Sequence, residues 1–246
     1  MVLLEIVAYS LASAKAAVAG GADRIELCEN AAEGGTTPSL GTLESAKALG
    51  LPVHAMIRPR GGDFLYEPDE VRVMERDIDL AVAAGADGIV LGALTPQAEV
   101  DVALCRRLVE RAQGRPVTFH RAFDWAADSL RALEAVAEAG CRRLLTSGRA
   151  PSALAGAPLI AELVRRASGQ LIVMAGAGLS ETNAAEIVRL TGVREVHGSL
   201  AGTQPSRMRV RPPAVGLGTA PSWEADAIPC ADPERIRRAK AALSSR

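Results

Sequence analysis

Gly85-Ala86-Asp87-Gly88-Ile89-Val90-Leu91 is the stretch on which the fold turns. It closes an Ala-rich helical segment at a glycine and opens a short apolar strand. Glycine at that point suits the left-handed cap that ends a helix before an αβ turn. The same junction recurs at Gly21-Ala22-Asp23-Arg24-Ile25-Glu26-Leu27, at Gly140-Cys141-Arg142-Arg143-Leu144-Leu145-Thr146 and at Gly192-Val193-Arg194-Glu195-Val196-His197-Gly198. These junctions start 64, 55 and 52 residues apart, too far for a single βα unit in each interval. Every interval therefore needs a further strand, and the apolar runs 53–57, 117–120 and 171–175 supply them, with 3–7 ahead of the first junction.

Working outward, helical patterns fall at 11–20, 39–49, 68–85, 101–113, 128–140, 151–167 and 180–191, with a last one at 233–244. Eight strands alternating with helices predict a parallel sheet covered by helices. In a chain of this size, the reading is an α/β, single-domain (β/α)8 TIM barrel spanning residues 1–246. A doubly wound open sheet fits less well, because no G-x-G-x-x-G follows the first strand. Residues 200–232 are rich in Pro and Gly without periodicity and read as a long final βα loop.

The bulk properties bound the function. The 246 residues are 48% hydrophobic and 23% charged with a formal net charge of −1, so no global field points to nucleic acid or a membrane surface. No uncharged apolar run is long enough to span a bilayer. Four cysteines without a C-x-x-C pair suit a reduced, cytoplasmic protein, and Glu5 breaks up the N-terminal apolar stretch as a signal peptide would not. Basic residues are nearly all Arg, with Lys only at 15, 47 and 240.

Strand alternation sorts the polar residues. Positions i and i+2 share a face, so Glu5, then Arg24, Glu26 and Cys28, then His54, Met56 and Arg58, then Thr118 and His120, then Glu195, His197 and Ser199 all point into the barrel. The apolar set between them packs on the helices. All three histidines of the chain lie on this inner face. Pairs such as Arg24–Glu26 or Glu5–His54 also fit a purely structural role. The C-terminal strand ends carry the functional weight, because barrel active sites sit there. Cys28, Arg58, His120 and Ser199, with Arg60, Asp63, Arg121 and Asp124, ring that mouth. The loops holding Ser147 and Gly148, Gly176 and Gly178, and Ser199 suit anion binding through backbone N–H groups, or simply tight turns.

The segments Glu26-Leu27-Cys28, Ile57-Arg58-Pro59-Arg60-Gly61-Gly62-Asp63-Phe64, Thr118-Phe119-His120-Arg121-Ala122-Phe123-Asp124, Leu145-Thr146-Ser147-Gly148, Met174-Ala175-Gly176-Ala177-Gly178 and Glu195-Val196-His197 together resemble the copper homeostasis protein CutC family. The resemblance runs in order from about residue 3 to residue 200. It implies a cytoplasmic (β/α)8 barrel, homo-oligomeric, that binds or traffics copper, and it brings no catalytic activity with it.

Two functions are weighed on the residues. Copper(I) favours soft sulfur ligands. Cys28 and Met56 share the inner face of adjacent strands, Met174 is a further thioether candidate, and His197 is a candidate nitrogen ligand. The alternative is an isomerase- or lyase-type enzyme for a small phosphorylated or carboxylated metabolite. Arg58, Arg60 and Arg121 would then hold the anion, and Glu5, Glu26, His120 and Asp124 would handle protons. A Schiff-base aldolase is disfavoured, since no lysine falls on a strand end. A harder divalent ion on Glu5, Glu26 and His120 is a variant of this second reading. No organic cofactor is expected, and nucleic acid is not, since few aromatics stand near the arginines to stack bases.

Overall fold

The computed structural model describes residues 2–209 and 227–244. Eight strands, β1 (Leu3–Ala8), β2 (Arg24–Leu27), β3 (Val53–Met56), β4 (Gly88–Leu91), β5 (Val117–Phe119), β6 (Arg143–Thr146), β7 (Ile172–Gly176) and β8 (Glu195–Gly198), pair in chain order and close on themselves. Every pair is parallel, and β8 returns to β1 with Glu5 beside His197. The helices that carry the chain back are α1 (Leu11–Gly20), α2 (Leu40–Lys47), α3 (Pro68–Ala83), α4 (Val102–Arg111), α5 (Ser129–Glu138), α6 (Ala157–Ala167) and α7 (Ala184–Thr191). The (β/α)8 barrel expected from the junction pattern is thus present.

The junctions work through local chemistry. Gly21 caps α1 at φ 79°, and its N–H reaches back to Ala17 and Val18 carbonyls. At the Gly21 and Gly85 junctions, the aspartate two residues after the glycine accepts an N–H at the start of the neighbouring, preceding strand. Asp23 takes Leu4 N–H at 2.7 Å, and Asp87 takes Val53 N–H at 2.7 Å. Lys240 and Lys47 neutralise these two carboxylates. Helix starts are capped by Ser10, Ser39, Asp101 and Asp128 side chains.

The outward strand residues, among them Ile6, Ile25, Leu27, Val53, Ile89, Leu91, Phe119, Leu144 and Val196, are fully buried between sheet and helices. That leaves the barrel lumen to the polar set, as period-two alternation requires.

Two differences from the sequence reading stand out. α6 starts at Ala157 rather than near 151, because the chain first folds tightly against the end of β6. A Cβ on Gly156 would lie 1.9 Å from the Ser147 carbonyl oxygen. Residues 200–232 are not one aperiodic loop. Strands β9 (Ala201–Pro205) and β10 (Ala227–Ala231) pair antiparallel and hand the chain to α8 (Pro233–Ser244). Short strands carrying Gly and Pro escape a periodicity test, but a two-stranded ribbon with free edges tolerates both. The rest of that expected loop, 210–226, lies outside the described residues.

Candidate functional site

The lower lumen is a closed ionic lattice. Arg24 from β2 pairs with Glu5 on β1 and reaches Glu195 on β8 at 2.5 Å, and Arg143 from β6 approaches the same Glu195 at 3.0 Å. The Met174 sulfur sits in this layer, 3.4 Å from Arg24 Nη2, and so is committed to the lattice. His54 is buried nearby, held down to about 4 mainly by desolvation, so it is neutral. The partnerships therefore differ from the expected Arg24–Glu26 and Glu5–His54 pairs. Arg24 bridges two acids, and Glu5 binds His197.

Above the lattice the groups form a chain. His197 Nδ1 lies 2.8 Å from Glu5 Oε1. Its Nε2 is 3.7 Å from Glu26 Oε2, and the same oxygen accepts the Cys28 thiol at 3.5 Å. Burial alone would raise the Glu5 carboxyl, but the His197 hydrogen bond and the Arg24 charge outweigh it and hold it well below the usual range. Burial raises Glu26 against the pull of His197. His197 itself goes up, because Glu26 and Glu5 overcome the desolvation that would lower it. Burial, reinforced by the neighbouring Glu26, pushes the Cys28 thiol well above its ordinary value. Among the described residues, Glu5, Glu26 and His197 each offer one ligand atom within 4.8 Å of one another. The hard-donor set is therefore completed by His197 rather than by the expected His120. Glu5 is, however, already engaged by Arg24.

Cys28 packs with Val7, Met56 and Val90 in a small cluster separate from the main core, with Tyr9 against it. Met56 reaches the cavity at the barrel mouth, and Cys28 stands behind that wall. The cavity has a volume of about 540 Å³ and takes Glu26, Met56, Arg58, His120, Arg121 and His197 into its lining, with Gly178 and Ser199 from the last loops. This size and mixture of apolar and polar walls is typical of metabolite pockets.

Arg58 emerges from β3 and ties the loops together. Its Nη1 donates to the Glu33 and Gly35 carbonyls at 2.6 and 3.0 Å, and its Nη2 to the Gly62 carbonyl at 2.8 Å. The guanidinium lies over the Phe64 ring at 5.0 Å, and the same ring packs against His120 at 5.1 Å, tilted by 53°. His120 accepts the Ala122 N–H on Nδ1 at 3.2 Å, which leaves the proton of the neutral ring on Nε2. Desolvation first, and then the Arg58 charge, hold His120 down to about 3.

The remaining sequence candidates are elsewhere. Arg60 pairs with Glu70 at 2.6 Å and with Asp63 at 3.0 Å, over the Tyr66 ring and away from the cavity lining. The Asp124 carboxylate accepts the Thr146 hydroxyl at 2.5 Å and the N–H groups of Ser147 and Arg149, and it pairs with Arg121 at 2.8 Å. The Ser147–Gly148 loop is thus filled by the protein's own carboxylate rather than left open for a ligand. Gly176 makes room for Leu145 and His197, since a Cβ there would fall 2.6 Å from Leu145 Cδ1. Tyr9, Phe64 and Trp125 line the cavity and were missed. Tyr9 follows a strand closely enough that alternation would have found it. The two loop aromatics carry no periodic signal.

These features define a class: a (β/α)8 barrel whose C-terminal mouth holds a polar cavity over a buried carboxylate–imidazole chain. The CutC family model matches residues 2–202. The human copper homeostasis protein cutC homolog is 45% identical over 236 residues, covering 96% of this chain and 86% of its own. A CutC family protein of Chromobacterium violaceum is 50% identical over 219 residues, 89% of each chain. The chain belongs to the CutC family. A CutC crystal structure from Streptococcus agalactiae superposes with a TM-score of 0.77 at 35% identity, covering 81% of this chain and 99% of that one. Phosphoribosylanthranilate isomerase of Thermotoga maritima, at TM-score 0.59 and 15% identity over the full length of both chains, shares the fold alone.

Proposed function

We propose that this chain serves copper homeostasis by holding copper(I) at the wall of the barrel mouth, with Cys28 and Met56 as sulfur ligands and His197 as a nitrogen ligand. One observation carries the reading. The Cys28 thiol shares a cluster with the Met56 thioether, and it converges with His197 Nε2 on the same Glu26 oxygen. Copper(I) prefers such soft donors and accepts two or three of them. The printed names of the human and mouse relatives, copper homeostasis protein cutC homologs, point the same way. The reading includes a cytoplasmic, self-associating protein; all four cysteines are free, and no helix among the described residues is long and apolar enough to cross a membrane.

Anaerobic copper(I) titration against a chromophoric chelator tests the site. The Cys28→Ala variant is expected to lose stoichiometric binding, and Met56→Leu to bind about tenfold more weakly, the ~1.4 kcal/mol of one modest ligand. Unchanged stoichiometry in Cys28→Ala removes the site.

A further inference from the structure

The strongest unexplained feature of the mouth is a charge without a counter-ion. Arg58 is 5% exposed, yet among the described residues it pairs with no carboxylate: its two terminal nitrogens go to neutral carbonyls, and Nε has no partner. His120, 4% exposed, has an unpartnered Nε2 beside it. Buried donors and buried positive charge are costly unless something satisfies them. Arg121 stands at the rim with its side chain 48% exposed. Its Nε and Nη2 go to Asp124 and Ser147, and Nη1 has no partner among the described residues. All three residues line the same cavity. Together they leave Arg58 Nε, His120 Nε2 and Arg121 Nη1 as donors without an acceptor among the described residues.

The same cavity also holds acceptors. Glu26 Oε1 is buried, lines the cavity through its residue and has no donor. Glu33, the other acid of the lining, sits on the turn Ala31–Glu33 after β2. Both acids belong to the β2 side, where Arg58, from the neighbouring β3, is bonded to the Glu33 carbonyl, whereas His120 and Arg121 follow β5. Tyr9, Phe64 and Trp125 complete the lining with aromatic surface.

We propose that the cavity binds a small hydroxylated oxyanion, its charged end held by Arg121 in the field of Arg58 and its hydroxyl donated to Glu26. A carboxylate and a phosphate ester share the recognition chemistry, since either accepts a charge-assisted N–H bond, here from Arg121 Nη1. Arg58 and His120 lie under the Phe64 ring, so Arg121 makes the first contact and Arg58 supplies charge. The anion contact itself, at Arg121, uses none of the copper ligands Cys28, Met56 and His197, although Glu26, which takes the hydroxyl, touches Cys28 and His197 through its other oxygen.

Isothermal titration of copper-free protein at constant ionic strength decides it, with D-glycerate, sn-glycerol 3-phosphate, propionate and glycerol as probes. We expect glycerate or glycerol 3-phosphate to bind with millimolar affinity or better, and which of them binds tighter assigns carboxylate or phosphate. Glycerol should not bind, and propionate should be at least fivefold weaker than glycerate. Arg121→Ala should weaken the bound anion at least tenfold, with Arg121→Lys recovering part of the loss. No binding by either hydroxylated anion, or equal binding in Arg121→Ala, overturns the proposal. Copper titration of the same preparation is read separately, so a failed copper site and a failed anion site remain distinct results.

Discussion

Each histidine of the chain faces a glycine on the adjacent strand or just past its end, and the pairing is steric. A Cβ on Gly88 would fall 2.5 Å from the His54 ring, one on Gly92 2.6 Å from the His120 ring, and one on Gly176 3.3 Å from His197. Gly88 and Gly92 leave the space that the His54 and His120 rings occupy, whereas Gly176 yields mainly to Leu145 and only tightly to His197. Gly92→Ala is therefore expected to lower unfolding free energy by about 1–3 kcal/mol through overpacking, read as a shift of the urea midpoint. A stability equal to the parent protein would mean the ring moves aside freely. The inward direction of all three histidines was legible from strand alternation. Their glycine partners were not, because cross-strand register decides which residue stands opposite.

At the scale of elements, the 3₁₀ turn Arg121–Trp125 and the loop after β6 are one unit held by Asp124. Its carboxylate gathers the Thr146 hydroxyl, two N–H groups and Arg121. Asp124→Ala strands these donors and should cost about 3 kcal/mol. Amide hydrogen exchange at 146–149 should accelerate in parallel; protection unchanged at Ser147 would separate the loop from Asp124. The sequence singled out both segments, as an acid at one strand end and an anion loop at the next. It could not show that each satisfies the other. Residues 25 apart meet only because β5 and β6 are neighbours in the barrel, and a local motif does not announce its own occupant.

For the whole molecule, the buried imidazoles set the acid limb of stability. His54 and His120 have folded values of about 4 and about 3 against 6.5 when exposed. Below pH 6.5 the unfolded chain therefore binds protons that the folded chain refuses, and stability falls as pH drops toward these values. Each such histidine removes up to about 1.4 kcal/mol per pH unit. His197, raised above 6.5, acts oppositely: its contribution is full below that pH and is lost as pH rises through its folded value. Denaturant midpoints measured from pH 8 to pH 4 should fall steeply below pH 6, and His120→Asn should flatten that fall. An equal slope in the variant would show that His120 is not the group titrating.

The order of eight strands, the inward polar face and the arginine- and histidine-bearing strand ends follow from local periodicity, since alternation and glycine-capped junctions are set within a few residues. The junction itself reads as a turn signal in the chain, although only the fold shows Asp23 and Asp87 reaching back to an N–H at the start of the preceding strand. Which charges neutralise one another, which loop is filled from within, and which guanidinium is left without a carboxylate were settled by barrel closure alone. Closure sets β8 against β1 and Glu5 against His197, nearly two hundred residues apart in sequence. Electrostatic partnership depends on distances of a few ångströms, and those exist only after the last strand meets the first.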